Sequence, residues 1–136
     1  MTQSPITVKP NDSLSTIQDI FDRYPFHHIP VLGKENRVLG IISKTNLLSF
    51  MKNLSQETTG KYYTNISETS TTAKDIMTAN LTILDPDDTV GLAADIFLAN
   101  IFHALPIVED NQLVGILTSH DLLQYAYKGV IAGEGT

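Results

Sequence analysis

Two short stretches of this 136-residue chain pair a hydroxyl side chain with an oxygen acceptor three residues later. Thr118 is followed by Asp121, and Ser43 is followed in the same way by Asn46. In each stretch an apolar run ends at the hydroxyl and helically spaced apolar residues begin, which predicts a strand that runs directly into a helix. The N–H groups at such a helix start can bind phosphate. The same spacing is also typical of a capping box, which needs no ligand.

These two stretches belong to an internal repeat. Pro10 corresponds to Pro86 at an offset of 76 positions, and Pro30 corresponds to Pro106 at the same offset. After a polar turn the offset becomes 75, and it then aligns the two glycine-containing stretches that end at the hydroxyl residues. Loss of one residue in a turn is a change that loops tolerate well. The chain therefore consists of two copies of one sequence unit.

Each copy predicts the element order β-α-β-β-α. In the first copy we predict an opening strand at 6–8, a capping turn at 10–13 followed by a helix, a hairpin of strands at 28–32 and 38–43, and a closing helix at about 45–53. In the second copy the same elements are an opening strand at 81–84, a capping turn at 86–89 followed by a helix, a hairpin of strands at 104–108 and 113–118, and a closing helix at 119–130. Pro30 and Pro106 lie inside hairpin strands, which predicts an edge or start position for those strands. Each copy is too short to bury a good core alone, so we expect the two to share one.

The predicted domain boundaries follow from the repeat. We assign residues 1–53 to the first repeat, 54–72 to a polar, mobile linker loop, 73–130 to the second repeat and 131–136 to a tail. Thr72–Met77 predicts a short helical lead-in to the second repeat. The counterpart of this lead-in would fall before Met1, which predicts either a reduced entry into the first repeat or a chain cut from something longer.

Composition and charge exclude several classes of function. Hydrophobic residues make up 42% of the chain, charged residues 18%, and the net charge is −6, which disfavours nucleic-acid binding. The apolar runs are too short for a membrane span, and the absence of cysteine excludes disulfides and thiolate metal sites. We therefore expect a cytoplasmic protein. The four histidines lack metal-site spacing and no catalytic constellation stands out, so we expect no metal site, no catalytic residues and no enzyme activity.

The order and duplication of these motifs resemble a tandem pair of CBS domains, or Bateman module, from about residue 1 to 128. The resemblance rests on Lys74–Thr78, on Ile29–Val31 and Leu105–Val108, and on the two Gly-x-x-(Ser/Thr)-x-x-(Asp/Asn) junctions. It implies an α+β fold of two β-α-β-β-α repeats packed face to face with pseudo-twofold symmetry. It also implies a regulatory module that forms a homodimer and binds AMP, ADP or ATP, with S-adenosylmethionine as a further ligand and no cofactor.

The resemblance further implies two ligand-binding clefts, each of which combines the junction of one repeat with the first-strand start and proline strand of the other. The stronger cleft is expected to contain Thr118, Ser119, His120, Asp121, Ile6, Thr7, His27, His28, Ile29 and Pro30. The weaker cleft is expected to contain Ser43, Lys44, Asn46, Thr82, Ile83, His103, Leu105 and Pro106.

The two predicted clefts differ in charge. A carboxylate at Asp121 can accept hydrogen bonds from both ribose hydroxyls, whereas Asn46 has no charge and one carbonyl acceptor. Thr118 and the N–H groups of Ser119 and His120 can face phosphate. His27 and His28 resemble the basic pair that the family often has there, although a histidine before a strand can equally well hydrogen-bond to backbone.

Three functions stay open at this point. The chain is a nucleotide-sensing regulatory module, an assembly module with vestigial clefts that acts through a dimer interface, or a regulatory fragment of a larger enzyme, channel or transporter. The exact ligand, the regulated partner and the direction of regulation do not follow from the residues.

Overall fold

The computed structural model describes residues 2–3, 5–57, 70–99 and 103–131. Its elements are β1 (Thr2–Gln3), α1 (Leu14–Arg23), β2 (His28–Leu32), β3 (Val38–Ser43), α2 (Lys44–Glu57), α3 (Ala73–Ile76), α4 (Val90–Ala99), β4 (Ala104–Glu109), β5 (Gln112–Thr118) and α5 (Ser119–Ile131). They form two compact units. The first unit is Ile6–Leu81, and the second unit is Met1–Pro5 together with Thr82–Thr136.

The first unit is built on the β2–β3 hairpin, whose antiparallel register begins at His28 opposite Ser43. Helix α1 is amphipathic because its apolar residues recur at helical spacing, and it buries the side chains of Leu14, Ile17 and Phe21. The core consists of Val8, Leu14, Ile17, Phe21, Ile29, Val31, Ile42, Leu47 and Ala73. These residues come from the opening segment, both hairpin strands and three helices, so the hairpin and its helices are held by one apolar cluster.

The second unit repeats this plan around a three-stranded sheet of order β1-β5-β4. Its core is smaller and consists of Leu84, Ala93, Leu105 and Ile107. Strand β4, which contains Pro106, lies at an edge of this sheet, and β2, which contains Pro30, lies in a two-stranded sheet. The edge position predicted from the two prolines is therefore confirmed.

The hairpin turns explain the change of offset between the repeats. In the second unit Asp110 and Asn111 form a two-residue turn, and both have positive φ, of 52° and 65°. In the first unit the Gly33 N–H donates to the Arg37 carbonyl at 2.8 Å, so this turn contains three residues, 34–36. The additional residue is accommodated in the loop and leaves the strands in register.

The predicted opening strands are reduced to single bridges, which corrects the expectation for 6–8 and 81–84. Val8 bridges to Val31, and Leu84 bridges to Ile107, both in parallel. The Val8 N–H donates to the Pro30 carbonyl at 3.0 Å, but Pro30 has no N–H to return a bond, so the ladder cannot extend toward Ile6. Pro106 has the same effect beside Leu84.

The true first strand pairs with the opposite half of the sequence. Thr2 lies opposite Ile116 in β5, which belongs to the second repeat. The corresponding residue of the second repeat, Thr78, bridges to Ile41 in β3 of the first repeat. Each compact unit therefore contains the opening residues of the other sequence repeat.

Two further segments differ from the predicted boundaries. Helix α2 continues to Glu57, into the segment predicted as linker, while 58–69 and the tail 132–136 lie outside the described residues. Helix α3 forms as predicted for the lead-in. It nevertheless packs in the first unit, where Ala73 is fully buried.

Candidate functional site

The junction of β5 and α5 is a closed capping box. The Thr118 N–H donates to Oδ2 of Asp121 at 3.0 Å, and the Asp121 N–H donates to Oγ1 of Thr118 at 3.1 Å. This arrangement satisfies two donors that a helix start otherwise leaves unpaired. The Asp121 carboxylate is half-buried, and its second oxygen, Oδ1, has no hydrogen-bond partner among the described residues. One carboxylate oxygen therefore caps the helix, and the other is available.

The junction of β3 and α2 has the same geometry with different chemistry. The Ser43 N–H donates to Oδ1 of Asn46 at 3.0 Å, and the Asn46 N–H donates to Oγ of Ser43 at 2.9 Å. Asn46 has a single side-chain carbonyl oxygen, and the cap uses it. The two junctions therefore differ in free hydrogen-bond acceptors as well as in charge. Asp121 has one carboxylate oxygen left after capping, whereas Asn46 has only its amide NH2 group, which is a donor.

Backbone bonds reduce the number of N–H groups that can bind an anion. The Ser119 N–H donates to the His103 carbonyl at 3.1 Å, and the Lys44 N–H donates to the His27 carbonyl at 2.8 Å. The expectation that the Ser119 N–H faces phosphate is therefore wrong, because that donor is already satisfied. The His120 N–H has no hydrogen-bond partner in the part of the chain that the structure describes.

The opening segments offer backbone groups outside the regular ladders. Because the proline strands stop the pairing at Val8 and Leu84, no hydrogen bond is described for the backbone of Ile6 and Thr7, or for that of Thr82 and Ile83. Ile6, Thr7 and Thr82 are half-buried, and Ile83 is exposed. These residues expose donors and acceptors beside apolar side chains, which suits the edge and face of a planar base.

The proline-strand residues of both predicted clefts are core residues. Ile29 and Pro30 are buried in the first unit, and Leu105 and Pro106 are buried in the second. Their side chains therefore stabilise the units, and the carbonyls of Pro30 and Pro106 already accept from the N–H groups of Val8 and Leu84.

The histidines lie at the starts of the hairpins. His27 and His103 are exposed and precede β2 and β4, His120 is exposed in the first turn of α5, and His28 is half-buried opposite Ser43. Within one unit the structure therefore brings His27 and His28 to the Ser43 junction, and His103 to the Thr118 junction. The combination of Asp121 with His27 and His28, which the resemblance implies, stays a prediction.

Sequence reasoning left one candidate out of the weaker site. Thr45 corresponds to His120 at the offset of 75. Its N–H likewise has no partner among residues 5–57 and 70–99. The repeat alignment contained this signal, because every residue of one junction has a counterpart in the other.

The described residues contain neither a metal site nor a membrane-spanning helix. Within them no group of three or more His, Cys, Asp or Glu residues could hold a metal ion. No helix in the same ranges is long and apolar enough to cross a bilayer.

Comparison with known proteins identifies related sequences. The model of the CBS domain family matches residues 1–53 and 73–128, which is more than half of the chain. The inosine-5'-monophosphate dehydrogenase of Methanocaldococcus jannaschii is 28% identical over 120 residues, which cover 88% of this chain. The matched region is 21% of the length of that dehydrogenase.

Solved structures show the same fold. The structure of CBSX2 in complex with AMP has a TM-score of 0.76 at 24% identity, and the match covers 94% of this chain and 92% of that one. The CBS domain pair of protein MJ0100, in complex with 5-methylthioadenosine and S-adenosyl-L-methionine, has a TM-score of 0.73 at 25% identity. That match covers 92% of this chain and 93% of that one. The α+β architecture with two β-α-β-β-α repeats is thus shared with these structures.

Proposed function

The chain belongs to the CBS domain family, and we propose that it is a regulatory module whose ligand is an adenosine nucleotide of the AMP, ADP or ATP class. The observation that carries the proposal is the capping box at Asp121, which leaves one carboxylate oxygen unbonded in a half-buried position. The complexes of CBSX2 with AMP and of MJ0100 with S-adenosyl-L-methionine support the choice of ligand class. S-adenosylmethionine is accordingly the second ligand to test.

In the proposed site Asp121 holds the ribose. A carboxylate that is partly shielded from water makes strong charge-assisted hydrogen bonds to hydroxyl donors. Each such bond contributes roughly 1.5–3 kcal/mol, which corresponds to about a tenfold to hundredfold change in affinity. The Thr118 hydroxyl and the His120 N–H lie in the same helix start and are the groups proposed to face phosphate. Ile6, Thr7 and 27–30 stay predicted members of this site.

The site at Asn46 is proposed as the weaker one. Its cap uses the only side-chain carbonyl oxygen, so the ribose hydroxyls would meet an amide donor in place of an acceptor. Ser43, Lys44, Thr82, Ile83, His103, Leu105 and Pro106 stay predicted members of that site. A ribose hydroxyl can accept a hydrogen bond from that amide, but such a bond lacks the negative charge that strengthens the bonds at Asp121.

The test is an Asp121→Asn variant, because the cap at Asn46 demonstrates that an asparagine can form this box. The variant should keep the box and lose the carboxylate, and the charge removed from the start of α5 should lower its ligand-free stability by only about 0.3–1 kcal/mol, so each ligand-induced shift is measured from the variant's own ligand-free melting temperature. A ligand at a hundred times its Kd stabilises the folded protein by about 2.7 kcal/mol, so the melting shift reports occupancy. The ligands are AMP, ADP, ATP and S-adenosylmethionine.

The matched control is Asn46→Ala, which should keep most of the ligand-induced shift. If Asp121→Asn keeps the full shift, Asp121 does not hold the ligand. If no adenosine compound shifts the wild type at millimolar concentration, nucleotide sensing is wrong and the assembly function described next takes its place.

The second candidate function is assembly through a homodimer, and the distribution of apolar surface favours it. Among the described residues most exposed large apolar side chains lie in the second unit: Ile83, Val90, Leu92, Leu98, Leu123, Tyr125 and Tyr127. A concentration of exposed apolar side chains in one unit favours an interaction surface there, and twofold association is the commonest way to cover such a surface. Sedimentation that shows only monomer at tens of micromolar, with and without nucleotide, would contradict the dimer.

We propose no catalytic role and a cytoplasmic location, where adenosine nucleotides are available. Because the matched region is about a fifth of the dehydrogenase, the chain also fits the role of a regulatory part of a larger enzyme. Measuring the mass of the native gene product distinguishes this alternative from a free-standing module.

A further inference from the structure

Charge is distributed very unequally between the two compact units. The first unit, residues 6–81, contains eight Lys and Arg residues and seven Asp and Glu residues, so its formal net charge is +1. The second unit, residues 1–5 and 82–136, contains eight acidic residues and a single basic one, Lys128, so its formal net charge is −7. The second unit therefore carries all of the net negative charge of the chain, and it is also the unit that contains Asp121.

The acidic side chains of the second unit lie in water without counter-ions. The exposed ones are Asp85, Asp87, Asp88, Asp95, Glu109 and Asp110. Asp85 and Asp88 accept hydrogen bonds from backbone N–H groups of their own turn, which leaves their charge in place. Among the described residues the ion pair lies in the first unit, between Arg23 and Asp19. The charges of the second unit are therefore uncompensated, and their combined potential acts on any ligand that this unit binds.

Equivalent positions at the two junctions differ in charge in the same direction. At the offset of 75, Lys44 corresponds to Ser119, and Asn46 corresponds to Asp121. Lys44 and Ser119 have the same place in the fold, because each is half-buried and donates its N–H to the carbonyl of the histidine before the hairpin, at 2.8 and 3.1 Å. With histidine neutral, the Asn46 junction carries one positive charge and the Asp121 junction carries one negative charge.

We infer that the two junctions select adenosine compounds by charge, an inference that rests on the proposed function because it takes Asp121 to hold the ribose. The Asp121 junction binds compounds of low negative charge, which are adenosine, S-adenosylmethionine and AMP, in preference to ATP. The Asn46 junction holds ribose less strongly and discriminates in favour of the phosphorylated compounds.

The physical reason is that the carboxylate that holds the ribose also repels phosphate. Each further phosphate group adds negative charge close to Asp121 and to the uncompensated carboxylates of the second unit, so the penalty grows from AMP to ATP. S-adenosylmethionine has a sulfonium and an ammonium group against one carboxylate, and the same potential attracts it. At the Asn46 junction the Lys44 ammonium group is available to a phosphate, whereas Ser119 offers no charge at the equivalent position.

The test is an NMR titration of the full chain with adenosine, AMP, ATP and S-adenosylmethionine. The amides of His120 and Thr45, which are equivalent first-turn positions, report the two junctions separately. The titrations are made at pH 8, where histidine is ordinarily neutral, and without Mg²⁺, which would mask phosphate charge. At His120 the Kd of ATP should exceed that of adenosine about tenfold or more in low salt, whereas at Thr45 ATP should bind at least as tightly as adenosine.

The dependence on salt gives an independent sign. Salt screens repulsion as well as attraction, so raising the ionic strength from about 0.01 M to about 0.1 M shortens the screening length from about 30 Å to about 10 Å. At His120 this change should strengthen the binding of ATP and weaken that of S-adenosylmethionine, while the binding of uncharged adenosine stays nearly constant. Attraction of the phosphates would give the opposite sign for ATP.

A charge exchange between the junctions identifies the residue that sets the preference. Ser119→Lys introduces the lysine that the first unit has at the equivalent position, where Lys44 demonstrates that the fold accepts it. The ratio of the Kd of ATP to that of adenosine at His120 should fall about fivefold or more. Ser119→Gln is the matched control, because it adds a long polar side chain without charge and should leave the ratio nearly unchanged. Lys44→Ser should raise the same ratio at Thr45.

The inference is overturned if ATP binds at His120 as tightly as adenosine in low salt, or if added salt weakens the binding of ATP there. It is also overturned if Ser119→Gln lowers the ratio as much as Ser119→Lys, because side-chain size and not charge is then the cause. In these cases adenosine still binds, so the proposed function stands. If no adenosine compound changes either amide, the proposed function is wrong and the inference fails with it.

Discussion

Gly40 lies directly beneath Met77. A methyl group on the Gly40 Cα would lie 2.5 Å from Sδ and 2.8 Å from Cγ of Met77, and 2.9 Å from the Thr78 carbonyl oxygen. The contact is close because Thr78 pairs with Ile41, the residue after Gly40, through hydrogen bonds of 2.9 and 3.0 Å. The glycine of this junction is therefore required by the segment that crosses it.

Gly40→Ala is predicted to destabilise the protein by about 1–3 kcal/mol, the usual cost of an overpacked interior position. The Met77 side chain can move, but the Thr78 carbonyl is fixed by its pairing with Ile41. Gly91→Ala is the control, since a methyl there would have its nearest neighbour at 3.8 Å. It replaces a helical glycine and should stabilise by about 0.5–1 kcal/mol. Urea denaturation measures the change in the free energy of unfolding for both variants. A Gly40→Ala variant as stable as the wild type would contradict the close contact.

Asp75 is predicted to make stability depend on acid pH. The backbone N–H of Thr72 is the main cause that holds the pKa of the Asp75 carboxyl below its ordinary value of 3.8. The resulting stability is present above pH 3.8 and is lost as pH falls through the lower pKa of the folded state, because the unfolded chain then binds the proton more readily. NMR titration of the Asp75 carboxyl checks the direction.

Thr72→Ala is the informative variant for Asp75. It keeps the backbone donor and removes only the hydroxyl, which donates to the same carboxylate oxygen at 3.1 Å. Most of the lowering of the pKa should therefore persist. A return of the pKa to 3.8 in this variant would mean that the hydroxyl, and not the backbone N–H, is the main cause.

The two capping boxes are predicted to contribute unequally to stability when no ligand is present. Asn46→Ala should cost about 1 kcal/mol or less, and Asp121→Ala should cost about 0.3–1 kcal/mol more, because it also removes a negative charge from the positive end of α5. Asn46→Asp should instead stabilise by about 0.3–1 kcal/mol, since it places a negative charge at the positive end of α2 while keeping the acceptor. Thermal unfolding in low salt measures these differences. A destabilising Asn46→Asp would show that the amide group of Asn46 has a role beyond the cap.

The β4–β5 turn is predicted to depend on left-handed backbone at Asn111, whose φ is 65°. Asn111→Val should destabilise by roughly 1–2 kcal/mol, because a β-branched residue is strained in this conformation. Asn111→Gly should be neutral or slightly stabilising, since glycine adopts positive φ freely. Denaturation midpoints of the pair test this, and equal stability of the two variants would contradict it.

Local sequence alone determined the parts of the site that depend on neighbours along the chain. The hydroxyl and the acceptor at Thr118 and Asp121 are three residues apart, so a capping box follows from helix geometry wherever the unit packs. The capping turns, the helix starts and the proline strands at sheet edges have the same origin. The repeat offset also predicted the turn in which one residue is lost.

Only the tertiary structure decided which halves of the chain pair. Thr2 joins β5 and Thr78 joins β3, and α3 binds the turn before α1, because strand edges and exposed carbonyls accept any backbone that reaches them in the right direction. The spacing of apolar residues within a segment predicts which of its faces is buried, but it does not predict which other segment packs against that face. It therefore could not reveal that Gly40 accommodates Met77, or that the Ser119 N–H already donates to the His103 carbonyl.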